Sequence, residues 1–155
     1  MGYLLGLDIG TSAVKTLLLK ANGELIGSTM EEYPLFAPQP GWSEQNPEDM
    51  WQATAKAIKA TLAKFQIEPN SIKGVGLSGQ MHSSVFLDVN GKVIRPAILW
   101  NDTRTSAQCR FIENTVDRDL LHSEVCNPVL EGFTLPKLLW LREHEPENFK
   151  KVRWL

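Results

Sequence analysis

Cysteine is scarce in this chain. Cys109 and Cys126 are the only two in 155 residues, and their spacing fits no metal-binding or redox motif. No disulfide framework is called for, and reduced thiols point to a cytoplasmic setting. Long apolar runs are missing as well. The first, Tyr3 to Leu7, stops at Asp8, too short for a signal-peptide core or a membrane span. Gly2 invites lipidation, but Gly6 stands where Ser or Thr is wanted, so the chain is expected to begin directly with structure. Neither charge is in excess: 16 Lys and Arg face 18 Asp and Glu, a net charge of -2. That balance argues against nucleic acid or an anionic membrane as a partner. No basic stripe is interleaved with aromatics, and no zinc cluster or Ser/His/Asp spacing occurs. The two commonest nucleotide motifs, GxxxxGK[ST] and GxGxxG, are absent.

What remains is the composition of a globular domain, 43% hydrophobic and 22% charged. The length is that of one domain, able to bury about two thirds of its unfolded surface. Leu4 to Ile9 and Val14 to Leu19 read as strands joined by a tight polar turn at Gly10, Thr11 and Ser12. Asn22-Gly23 then signals a hairpin into a third strand, Glu24 to Met30. Four residues between Ile9 and Val14 leave no room for a crossover helix.

A Pro-rich connector covers 34–47. Asn46 as cap and Pro47 in the first turn then predict a helix over 47–65, facing the sheet through Trp51, Thr54 or Ala55, Ile58, Leu62 and Phe65. Ile72 to Ser78 read as a strand parallel to a central one. A second hairpin is expected around Asn90-Gly91, between 84–89 and 93–94, and a short strand over 97–100. Helices are expected over 103–116, 117–125 and 134–144, the last capped by Thr134 and ended by Pro146. Lys151 to Leu155 read as the start of a further strand. The result is an α/β domain with a mixed β-sheet, cut short, because an unfinished strand leaves backbone groups unpaired.

Three polar clusters stand at strand ends. Asp8-Ile9-Gly10-Thr11-Ser12 places a carboxylate where it must be paired or solvated. It suits a hydrated magnesium ion beside phosphates, or a turn that Asp8 caps. Lys15 reaches phosphate or lies on a solvated face. Gln80-Met81-His82 follows a parallel strand, where open sheets bind ligands; Gln80 and His82 suit hydroxyls, and Met81 an apolar face of a small substrate. A lone His in a turn is more often structural or merely exposed, and His82 is read that way too. Trp100-Asn101-Asp102 walls a pocket and binds hydroxyls, or Asp102 or Thr103 caps the next helix while Arg104 stays solvated. Trp42 reads as a plug over the connector.

Together GLDIGTSAVK, PGWSEQNPEDMW, GLSGQMHSSV, RPAILWNDTR and TLPKLLWLREHEPENF resemble the FGGY family of carbohydrate kinases, in order and across essentially the whole chain. Gln80-Met81-His82 is similar to the xylulokinase branch, although Ser83 stands where Gly is usual there. The resemblance implies an actin-like ATPase (ribonuclease H-like) fold and an incomplete N-terminal, sugar-binding domain. The rest of that domain and a C-terminal ATP-binding domain would follow. It implies ATP and magnesium as cofactors and the conversion of D-xylulose to D-xylulose 5-phosphate. Asp8 would act near the metal and the transferred phosphoryl group. Gly10, Thr11, Ser12 and Lys15 would define the phosphate region. Gln80, Met81, His82, Trp100, Asn101 and Asp102 would contact the sugar or support its pocket. The proton-abstracting Asp of the family has no counterpart in this chain, so the chain alone is expected to be inactive. A kinase for ribulose, fuculose or gluconate, and a non-enzymatic actin-like module, are the alternatives. Composition leaves a homo-oligomer open.

Overall fold

Alternating apolar residues and tight polar turns in the first 32 positions leave antiparallel pairing as the available solution. In the computed structural model, which describes residues 2–155, these become β1 (Tyr3–Ile9), β2 (Ala13–Lys20) and β3 (Leu25–Glu32). A short strand β4 (Glu44–Gln45) precedes helix α1 (Pro47–Lys64). Then come β5 (Ile72–Gly79), β6 (Ala97–Ile98), α2 (Ser106–Thr115) and α3 (Arg118–Leu120), which runs into a π-helical turn at Leu121–Val125. Helices α4 (Thr134–His144) and α5 (Pro146–Phe149) complete the order. No helix among the described residues is long and apolar enough to cross a membrane. The chain folds as two units, one comprising residues up to Leu35 with Glu48–Gln80, the other Phe36–Pro47 with Met81–Leu155.

The first unit is the expected mixed sheet. Its strand order is β3-β2-β1-β5, antiparallel except for the parallel pair β1 and β5. Leu5, Leu7, Val14 and Leu18 are buried. Helix α1 meets this layer through Ala53, Thr54, Ala57 and Thr61 rather than through Trp51, which is 64% exposed. Small residues allow close approach, and that approach gathers three hydroxyls. Thr16 bonds to Thr29 at 2.8 Å and to Thr61, and Thr29 bonds to Thr61 at 2.6 Å. A tryptophan on that helix face would hold the helix away.

The second unit has little regular sheet. Strands β4 and β6 pair antiparallel, Glu44 with Ile98 and Gln45 with Ala97. Phe86, Ile98, Trp140 and Leu141 form its apolar core, with Trp42 packed against them. The expected hairpin over 84–94 is reduced to a bridge between Leu87 and Val93. Ile94 N still donates to Phe86 O at 3.0 Å and Asp88 N to Lys92 O at 2.9 Å, while on the other edge Leu87 N donates to Trp154 O at 2.9 Å and Leu87 O accepts from Arg153 N at 2.8 Å. That pairing is also all that residues 151–155 form in place of a strand. Helix α2 starts three residues later than expected, because Asp102 accepts from Arg104 N at 2.9 Å and Gly41 O accepts from Thr103 N at 2.8 Å. Phe133, not Thr134, holds the cap position of α4, and Pro146 opens α5.

Candidate functional site

Asp8 lies one residue before the end of β1, opposite Lys15 on β2 and Ser78 on β5. All three residues are exposed. The turn that follows is closed by Gly10 N, which donates to Ala13 O at 3.0 Å. Tyr33 locks it from the end of β3: its hydroxyl donates to Gly10 O, and its backbone N donates to Ser12 O at 3.3 Å. Burial and the Asp8 charge push the Tyr33 phenol above its ordinary pKa, which keeps it a donor. Gln80 N donates to Ile9 O at 2.9 Å. Gly79 stands so close that a Cβ there would lie 2.7 Å from Ile9 O. Asp8, Gly10, Thr11, Ser12, Lys15 and Gln80 are thus gathered at one end of one sheet.

No group of three or more His, Cys, Asp or Glu among the described residues could hold a metal by itself. An exposed carboxylate with hydroxyls beside it fits magnesium, which takes oxygen ligands, keeps most of its waters and binds phosphate oxygens. Tyr33 was not singled out from the sequence. Its only signal was a lone aromatic closing an acidic strand end, Glu31-Glu32-Tyr33-Pro34.

The motif divides between Gln80, the last residue of the first unit, and Met81 in the second. In the second unit Met81 is 71% exposed and His82 is exposed. His82 has a left-handed backbone, with φ 61°. Ser84 and Ile98 exchange backbone hydrogen bonds at 2.8 and 3.1 Å, and Trp100 N donates to Ser83 Oγ at 3.2 Å. Met81, His82, Trp100 and Asn101 are therefore held near one another, the last two also exposed. Asp102 is different. It is buried, and its Oδ2 accepts from Ser43 N at 2.6 Å and from Arg104 at 2.7 Å, while its Oδ1 accepts twice more from Arg104.

Arg104 is not solvated either. Its guanidinium lies 3.6 Å from the ring centre of Trp42 and 4.8 Å from that of Trp140. Glu44 neutralises it at 2.8 Å and also pairs with Arg95. Trp42 is thus part of this interior and more than a plug. Paired carboxylates and stacked rings make burial of two guanidinium groups tolerable.

Lys137 on α4, also unmarked in the sequence, is fully buried. Its Nζ donates to His82 O at 2.7 Å and to Gly132 O at 2.6 Å. Burial lowers its pKa to about 8; the Asp102 charge opposes that shift and the Arg104 charge adds to it. The His82 ring lies 4.6 Å from that of Phe133. A lysine within an apolar helical pattern, Thr134-Leu135-Pro136-Lys137-Leu138-Leu139, was the available signal.

The chain is 50% identical over 153 residues to a xylulose kinase of Bacillus subtilis (strain 168), covering 98% of this chain and 30% of that protein. The crystal structure of a xyloylose kinase from Brucella ovis superposes with a TM-score of 0.91 at 40% identity, covering 97% of this chain and 31% of that one. A gluconate kinase from Lactobacillus acidophilus gives 0.89 at 26% identity, covering 97% and 30%. The chain spans about a third of the length of these relatives. The mixed α/β topology is that of the FGGY, actin-like ATPase type. The family model for the N-terminal domain matches residues 3–155, and the chain belongs to the FGGY family of carbohydrate kinases.

Proposed function

We propose that this chain is the N-terminal part of an ATP-dependent kinase that converts D-xylulose to D-xylulose 5-phosphate. The observation that carries the reading is the 50% identity to a xylulose kinase across a chain that contains Gln80-Met81-His82 unbroken. The first unit supplies the phosphate side. Asp8 orients the hydrated cation, and Lys15 and the Gly10–Ser12 turn, held by Tyr33, meet phosphate charge. Magnesium and ATP, when bound, supply the phosphoryl group and neutralise its oxygens. The second unit supplies the sugar side. His82 and Asn101 bond hydroxyls, while Met81 and Trp100 cover an apolar face. Asp102 supports this wall from inside, since its oxygens are already engaged. The aspartate that takes the proton from the attacking hydroxyl belongs to the remainder of the domain.

The test is a coupled ADP assay with ATP, magnesium and D-xylulose, run on the 155-residue chain and on the longer protein that carries it. Turnover is expected only from the longer protein. Turnover by the short chain well above a boiled control overturns the division of labour. The likeness to a gluconate kinase favours one competitor, so the panel includes gluconate, ribulose, fuculose and glycerol. A higher kcat/KM on any of them replaces D-xylulose as the substrate.

A further inference from the structure

We propose that Lys137 and Phe133 are positioning residues that fix the His82 side chain for sugar binding; this rests on the sugar-kinase reading above. His82 needs outside support for two reasons. It is exposed, and its backbone sits in the left-handed region that a non-glycine residue keeps only when its surroundings impose it. Lys137 imposes it from below. One buried ammonium ties the carbonyl of His82 to the carbonyl of Gly132, at 2.7 and 2.6 Å. Gly132 is the residue before Phe133, whose ring meets the imidazole at 4.6 Å and a 48° tilt. The link therefore fixes both ends of the ring pair at once. It also reaches the neighbouring wall, because a Cβ on Gly132 would lie 2.4 Å from Trp100 O.

Stability alone gives no reason for a lysine here. A buried ammonium is costly, and a methionine of similar length would suit a site beside Leu138 and Leu141. What methionine cannot supply is two donors aimed at two carbonyls. The arrangement gives His82 a fixed orientation without spending any atom of its ring on the task, so both imidazole nitrogens stay available for hydroxyls.

The experiment uses the longer protein with ATP, magnesium and D-xylulose. Lys137→Met and Phe133→Leu are each expected to raise the sugar KM by about tenfold, with the ATP KM within about twofold and kcat within about threefold. In a His82→Ala background, Lys137→Met is expected to add less than about twofold, since no ring remains to be held. The His82 ring signal, assigned by NMR from its loss in His82→Ala, should move in both single variants. Unchanged sugar KM in both variants, or full multiplication with His82→Ala, overturns the proposal. So does an equal rise in the ATP KM, which marks a general structural defect. If Lys137→Met does not fold, Phe133→Leu and its His82 signal decide. A wild-type protein inert toward every sugar defeats the kinase reading instead; an active wild type with an unmoved His82 signal defeats this inference alone.

Discussion

In the first unit the interior is mostly aliphatic, and three threonine hydroxyls satisfy one another between α1 and the sheet. In the second, two guanidinium groups lie against tryptophan rings with Glu44 and Asp102 as counter-charges, and a buried ammonium is held by two carbonyls. The first unit has four paired strands, the second a two-residue ladder and bridges. A continuous ladder supplies backbone hydrogen bonds through local repetition. Where the ladder is short, side chains must supply both pairing and alignment, and charged groups do so with direction that aliphatic packing lacks. The candidate phosphate turn hangs from the first kind of scaffold and the candidate sugar wall from the second.

The largest blow to this contrast is Arg104→Met. It leaves Asp102 and one side of Glu44 buried without their cation, at a cost of about 3–5 kcal/mol. Urea unfolding should show the loss, and amide exchange should show it in α2 and α4 while β1 and β2 keep their protection. Equal loss in β1 and β2 would break the comparison. Next comes Ala57→Leu, which forces α1 off the threonines and costs about 1–3 kcal/mol. Here protection should fall around β2 and β3 and hold in α4.

The pH response is smaller over a narrow range and separates the units by sign. The Lys137 pKa is lowered to about 8 from 10.5, so its buried charge costs stability in full below pH 8. As pH rises through the window from 8 to 10.5, the folded chain has shed a proton that the unfolded chain still holds, and stability rises. Between pH 8 and 9 the gain of wild type over Lys137→Met should approach about 1 kcal/mol. Above pH 10 the raised Tyr33 pKa acts the other way in the first unit, as the unfolded phenol ionises first. A flat difference between the two proteins across pH 8–9 would refute the sign. The smallest change in folding stability, within about 0.5 kcal/mol, is expected from Val75→Thr with Leu77→Thr, residues 56% and 74% exposed on the outer strand β5. Light scattering should nonetheless show less self-association of the 155-residue chain, because an exposed apolar edge strand invites pairing.

The same contrast explains what could be read in advance. The strands β1, β2, β3 and β5, the helix α1 and the parallel pairing were legible because alternation, Asn22-Gly23 and Pro47 are local signals. Even there, Trp51 misled: hydrophobicity named it as core, whereas close packing chose Ala53 and Ala57. In the second unit the partners of Glu44 lie 51 and 60 residues away, at Arg95 and Arg104, and no local period announces them. Asp102 read as a hydroxyl contact, a helix cap or a support of the pocket for that reason, and its burial emerged only with Ser43 and Arg104 beside it. The exposed candidates, Asp8, Met81, His82, Trp100 and Asn101, were found because polar clusters at strand ends are visible in sequence. Tyr33 and Lys137 act through backbone carbonyls, and a carbonyl leaves no trace in the residue names.

The interleaving of the units also bears on how the chain is made. Residues 36–47 belong to the second unit yet leave the ribosome inside the first. The first unit has its whole sequence once Gln80 emerges. Trp42, Ser43 and Glu44 must wait for Asp102, Arg104 and Trp140, which at 5–20 residues per second is a delay of roughly 3–20 s. During that interval the connector is an unpacked strap tethered at both ends by the chain of the first unit, its carboxylate and indole still in water. Proteolysis of ribosome-bound chains stalled just after Gln80 has cleared the exit tunnel should cut within 36–47 and spare β1 and β2.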